Sequence, residues 1–157
     1  MGKVSIVKRK DGGLSISPIA REQRPDESDA EFLHACTKRI TEEPISPGYG
    51  GEIIGIFDDS IVIQDRYFRG AWTWNTPDPV IDIDMPEARK IHMAVIREKR
   101  NKKLQELDGE TMKAITNPQR LAEIEAQKQI LRDIPETIKP QLDAAITADE
   151  LLKIQPV

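Results

Sequence analysis

Five cations fall within seven residues in the run Arg97-Glu-Lys-Arg-Asn-Lys-Lys103. Arg and Lys at helical spacing can line phosphates, as in a nucleic-acid-binding helix. Glu87, Glu98, Glu106 and Glu110 dilute that field, so the run reads first as a water-bathed helix and as an arm for docking a partner. The carboxylates Asp58, Asp59, Asp65, Asp78, Asp82 and Asp84 crowd the middle of the chain. Paired carboxylates can do acid–base work or bind divalent ions, yet Asp is also the ordinary residue of turns and helix caps, and structural use is the expectation. His34 and Cys36 lie two apart on an expected helix, so they face different ways and cannot share a metal. Neither Cys-x-x-Cys nor His-Glu-x-x-His occurs, and no metal or cofactor is expected. His92 has no nucleophile motif beside it and reads as a surface or interface residue. The Gly48-x-Gly-Gly51 loop lacks the following Lys-Ser/Thr of a phosphate cradle. No catalytic residue is expected, and the chain reads as a non-enzyme.

Four of the seven aromatic residues, Tyr67, Phe68, Trp72 and Trp74, stand within eight positions, with Arg66 and Arg69 among them. Large rigid rings bury much area at small entropic cost. Tyr67, Phe68, Arg69, Trp72 and Trp74 are therefore the candidate interface. Three uses suit them: glue between two modules, an anchor for a protein partner, or a platform for bases stacked between guanidinium groups.

The elements that would position these residues change character along the chain. Val4-Ser-Ile-Val7 and Leu14-Ser-Ile-Ser17 are short strands separated by Asp-Gly-Gly, a hairpin signal. Ser28-Asp-Ala-Glu31 is a capping box and starts a helix that ends near Thr41, with Phe32, Leu33, Cys36 and Ile40 on one face. Pro44, Pro47, Gly48, Gly50 and Gly51 form a loop. Glu52-Ile-Ile-Gly-Ile-Phe57 and Ser60-Ile-Val-Ile63, split by Asp58-Asp59, are the strongest strand candidates. Thr73 and Trp74 pair with Val80-Ile-Asp-Ile83 across 75–79. Asp84-Met-Pro-Glu87 then starts a helix from 85 to 116, about 45 Å at 1.5 Å per residue, with Gly109 the place for a weakness or kink. Asn117-Pro118 turns the chain into a second helix bearing Leu121, Ile124, Ile130 and Leu131. Ile134-Pro135 and Pro140 break it into an irregular tail, and Thr147-Ala-Asp-Glu150 caps a last short helix. The expected fold is α+β: a β-β-α-β module (1–64), an aromatic segment with a hairpin (65–84) and an antiparallel helical hairpin (85–157). The possible docking arm carries Ile91, Val95, Arg97, Arg100, Lys103 and Leu104.

The 157 residues suit one domain or two small modules. The net charge of −4 divides into −5 over residues 1–84 and +1 over 85–157, too mild for an acidic or nucleic-acid-binding tail. A single cysteine excludes an internal disulfide and fits a reducing compartment. No apolar stretch approaches membrane-spanning length, so a cytoplasmic location is expected.

The run Asp65-Arg-Tyr-Phe-Arg-Gly-Ala-Trp72 is followed by Ile83-Asp-Met-Pro-Glu-Ala-Arg-Lys-Ile-His92. Leu104-x-x-Leu-Asp108, Lys128-Gln-x-Leu-Arg-Asp-Ile-Pro135 and Ile146-Thr-x-x-Glu-Leu-Leu152 come after it. In this order and spacing the segments resemble a family of small proteins from the tail-morphogenesis region of temperate tailed phages and prophages, often described as tail-fibre-assembly or tail-chaperone-like. The resemblance covers roughly residues 62–153 well and the N-terminal module loosely. Gly109 departs from it, because the family has a better helix former there. The resemblance implies a non-enzymatic assembly chaperone or minor tail component, found in the host cytoplasm during assembly or in the virion tail. It implies a phage tail or tail-fibre protein, or a second copy of the chain, as partner, and brings no catalytic residues. The alternative is a nucleic-acid-binding or host-interaction protein using the basic helix 97–103.

Overall fold

The turn residues near the N-terminus dictate the first pairing. In the computed structural model, which describes residues 2–41, 51–75 and 80–155, β1 (Lys3–Arg9) pairs antiparallel with β2 (Leu14–Pro18). Gly12 sits at φ 87° in the turn between them, a conformation that glycine adopts without cost. The Asp11 carboxylate accepts bonds from the Gly13 amide and the Arg9 guanidinium, both at 3.0 Å. Those bonds hold its pKa below the usual carboxylate range.

On its other side β1 pairs antiparallel with β3 (Gly51–Asp58), giving the order β2-β1-β3. The register jumps between Ile6 and Val7, where Gly55 and Ile53 are the successive partners and Ile54 is the extra residue of a bulge. Gly55 lies at φ 154°, and a Cβ there would come within 3.3 Å of the Phe57 ring, so glycine suits this kink. Strand alternation sends Val4 and Ile6 to one face and Ser5 and Val7 to the other, all four buried. Helix α1 (Asp29–Thr41) packs on β1 and β3. Its start is the expected capping box: the Ser28 amide donates to Glu31 at 2.9 Å, and the Glu31 amide donates to the Ser28 hydroxyl at 3.3 Å. Phe32 is buried on it, and Leu33 and Cys36 are half-buried. The placement of Ile40 on that face, the 42–50 loop and the 76–79 turn fall outside the residues described.

Residues 60–63 do not form the expected strand. Asp59–Ile61 is a single turn of 3-10 helix, and the Val62 amide folds back to the Asp59 carbonyl at 3.1 Å. The run Ile61-Val-Ile has no polar–apolar alternation, so it specifies burial without specifying strand. It packs against Val4, Ile6, Leu14, Trp72 and Ile81 as part of the core. A second 3-10 turn, Arg69–Ala71, leads into β4 (Trp72–Asn75), which pairs antiparallel with β5 (Val80–Ile83) as expected.

The chain divides into two compact bodies, Met1–Asp84 and Met85–Val157. The aromatic run belongs to the first. In the second, α2 (Met85–Lys113) and α3 (Pro118–Ala144) form the antiparallel hairpin, and α4 (Ala148–Lys153) packs on α2. Asn117 caps α3 by accepting the Arg120 amide at 3.2 Å, with Pro118 in the first turn. Thr147 caps α4, accepting the Glu150 amide at 3.2 Å. Gly109 lies within the continuous α2.

Pro135 and Pro140 do not end α3; both stand inside it. Each removes one amide donor, but the burial pattern runs through them. Leu121, Ile124, Lys128, Leu131, Pro135, Ile138, Leu142 and Ala145 recur at alternating spacings of three and four, and all are buried or half-buried. That stripe is the seam of a two-helix packing, and packing outweighs the local cost of two lost hydrogen bonds. The end of α3 is capped from α2: the Arg89 guanidinium donates to the carbonyls of Leu142 at 3.0 Å and Ala145 at 2.8 Å.

Candidate functional site

The turn 65–71 determines where the aromatic run sends its side chains. The Tyr67 amide donates to the Asp65 carboxylate at 2.8 Å, and the Arg69 amide donates to the Arg66 carbonyl at 3.1 Å. Tyr67 and Phe68 are thus turn residues, not neighbours on a strand. Their rings meet edge to face at 4.7 Å, with Phe68 buried at 2% exposure and Tyr67 at the surface at 37%. Partial burial, and then the Asp65 charge, push the Tyr67 hydroxyl pKa upward. Trp72 and Trp74 share a face of β4; Trp72 is in the core, and the Trp74 ring meets that of Phe57 at 4.9 Å with the planes tilted by 47°. A cation lies over a ring elsewhere in this body, where Arg21 sits 4.8 Å from the centroid of Phe32.

Beside Trp72 the first body has a cavity of about 390 Å³. Val4, Ile16, Pro18, Val62, Ile63 and Trp72 supply its apolar walls, and Ser60, Gln64, Arg66 and Arg69 its polar part. Asp59 also lines it, with its carboxylate accepting the Gly2 amide at 3.2 Å. Arg66 and Arg69 are exposed, and among the described residues neither has an ion-pair partner. The Trp72 indole nitrogen is buried and has no acceptor among the described residues. A buried donor without an acceptor costs roughly 1–3 kcal/mol. The aromatic run thus brings Arg69 and Trp72 to one cavity, joined by Arg66, whereas Tyr67, Phe68 and Trp74 do not line it.

In the second body the expected arm residues separate into two sets. Ile91, Val95 and Leu104 are half-buried, whereas Arg97 and Lys103 are exposed. Arg100 is half-buried with its guanidinium on the Asn101 side chain at 2.9 Å, and Lys102 pairs with Glu98 at 3.2 Å. Lys103 joins Glu106, Leu107, Glu110, Gln127, Ile130 and Leu131 along a groove of about 310 Å³. Met112, Ile115 and Ile130 are exposed at 73%, 68% and 67%, so three apolar residues assigned to the hairpin helices stand outside the seam. Arg97 borders a second groove of about 470 Å³, with Lys90, Met93, Glu136, Lys139 and Asp143 among its walls.

Two polar residues of this body are buried, one of them against its sequence reading. His92 is not at the surface; it is 3% exposed and its Nε2–H donates to the Ile154 carbonyl at 2.9 Å. The carbonyl can only accept, so it fixes the tautomer. Lys128 occupies a seam position at 5% exposure, with its ammonium 2.8 Å from Asp108, 3.2 Å from Glu125 and 2.8 Å from the Thr111 hydroxyl. The hydrogen bond to Asp108 leads in raising its pKa. Its place in the three-four stripe is the signal that could have found it. His34 is exposed and Cys36 half-buried on α1, where burial pushes the thiol pKa up. Among the described residues no group of three His, Cys, Asp or Glu side chains is arranged to hold a metal ion. No described helix is long and apolar enough to cross a membrane. No protein-family model, curated protein or solved structure matches this chain.

Proposed function

We propose that this chain is a non-enzymatic tail-morphogenesis protein of a temperate phage, an assembly chaperone or a minor tail component working through protein–protein contacts. The observation that carries the reading is the apolar surface outside the hairpin seam, Met112, Ile115 and Ile130, with a groove running between the helices beside Ile130. A two-helix hairpin buries one stripe of each helix, and an apolar face left over is what a partner's surface covers. The order of segments from Asp65 to Leu152 supports a tail-region protein as that partner. A nucleic-acid role finds less support, since Lys102 and Arg100 already have partners on their own helix.

Deleting the gene from the phage should abolish or misshape tails, and Ile130→Asp should reproduce the defect with the helical signal unchanged. Mass spectrometry of purified virions then separates the two forms: a chaperone is absent, a component present. Normal tails after deletion would remove both. A gel shift at about 50 mM salt should show no nucleic-acid binding, whereas salt-sensitive binding would favour the basic helix 97–103.

A further inference from the structure

We propose that the cavity beside Trp72 binds a carboxylate carried on an apolar body, either a small branched acid or the last residue of a peptide. This goes beyond a role in tail assembly and stands whether or not the chain has one. The volume of about 390 Å³ lies at the small end of ligand pockets and suits one leucine-sized group with its carboxylate. Ile16, Pro18, Val62 and Trp72 provide apolar walls for that body. Arg66 and Arg69 stand three residues apart on one turn, and among the described residues neither meets a carboxylate. A guanidinium fork binds a carboxylate through two parallel hydrogen bonds.

Charge points the same way. Residues 1–84 carry a net −5, yet this cavity has two guanidinium groups against one carboxylate, Asp59, which already accepts the Gly2 amide. Trp72 also lines the cavity, so its indole signal reports on what binds there. A phosphate would match the guanidinium groups but would leave the apolar walls without a partner, so the geometry favours a carboxylic acid with a hydrocarbon body.

The test uses the full chain labelled with nitrogen-15, with N-acetyl-leucine as the acid probe and N-acetyl-leucinamide as its neutral twin. Trp74→Phe leaves one indole signal, that of Trp72. The acid should move this signal saturably, and the amide should bind at least about tenfold more weakly. Arg66→Gln and Arg69→Gln, both surface changes, should each weaken the acid about fivefold or more with unaltered circular dichroism. An acetylated tetrapeptide ending in leucine, compared with its C-terminal amide, distinguishes the sources. Tighter binding of the free-acid peptide than of N-acetyl-leucine assigns a chain terminus, and weaker binding assigns a small acid. The proposal is overturned if the indole does not move up to about 20 mM acid, if acid and amide bind alike, if both Arg variants bind unchanged, or if inorganic phosphate binds as tightly as the acid.

Discussion

Trp72 and Ile124 hold corresponding places in the two bodies, at 2% and 0% exposure, but they are covered in different ways. Trp72 is packed among Val4, Ile6, Leu14 and Ile81, with Ile16, Ile54, Val62 and Trp74 adding further cover. Those residues come from both sheets and from the run after β3, so the ring is enclosed by segments far apart in the sequence. Ile124 lies on one stripe of α3, in a hairpin whose seam also includes a lysine and a proline. A sheet face can be roofed by a hairpin and by an apolar run that is not itself a strand. Two helices alone bury one stripe each, and the rest must face water or a partner. Met112, Ile115 and Ile130 are what that geometry leaves outside.

Truncating the two centres should expose this difference. Trp72→Ala removes the largest buried side chain of the first body and is expected to lose about 3–5 kcal/mol in urea denaturation followed by near-ultraviolet circular dichroism. Part of the loss is returned, because the acceptorless indole N–H goes with the ring. Ile124→Ala should cost less, about 2–4 kcal/mol, measured by the helical signal at 222 nm, because a thin hairpin can close over a small cavity. If Ile124→Ala proves the costlier change, the hairpin is not the more open of the two cores. A Trp72→Ala chain of undiminished stability would instead place that ring in a binding role.

What was readable in advance follows the range of the interactions. Ser28 with Glu31, Asn117 with Pro118 and Thr147 with Glu150 act within one helical turn, and each starts its helix where the residues indicate. The Asp-Gly-Gly turn and the β1–β2 and β4–β5 pairings are equally local. Ile61, Val62 and Ile63 were misread because a short apolar run announces burial, not backbone geometry. Pro135 and Pro140 were misread as breakers because their cost is local while the seam that outweighs it extends over α3. His92 went unrecognised as a core residue because its acceptor lies 62 residues further on. Of the cavity, Arg66, Arg69 and Trp72 could be seen as a cluster. Its other walls, Val4, Ile16 and Pro18, are supplied by sheet pairing that no spacing reveals.

Gly109 offers a change in the opposite direction. It lies inside α2, and a Cβ placed there meets nothing within 4 Å. Alanine removes backbone freedom from the unfolded chain and has the better helix propensity. Gly109→Ala should therefore stabilise the second body by about 0.5–1 kcal/mol. A loss instead of a gain would mean that something in the working protein packs against that bare backbone. The substitution thus also tests whether this part of the hairpin is a contact surface.

The smallest effect belongs to the first body and separates its polar edge from its core. Arg21 grips Glu27 through two hydrogen bonds, at 2.6 and 2.7 Å, and holds the carboxyl pKa down from 4.5 to about 2. A carboxylate depressed in the folded state contributes stability above its unfolded pKa, and that contribution is lost as the pH falls through the folded value. The window for Glu27 therefore lies between about pH 4.5 and 2. Glu31, held down by the Ser28 hydroxyl, and Asp11, held down by the Arg9 guanidinium, shift in the same direction. A carbon-13 titration of the Glu27 side chain should have its midpoint near 2 in the native chain and move toward the ordinary carboxylate range in Arg21→Ala. Arg21 is exposed and Glu27 half-buried at the surface, where water screens the pair, so the change in melting temperature at neutral pH should be slight even though the titration moves clearly. A large fall in melting temperature would show instead that Arg21 supports the fold through its stacking on Phe32, and would bring the edge of this body into its core.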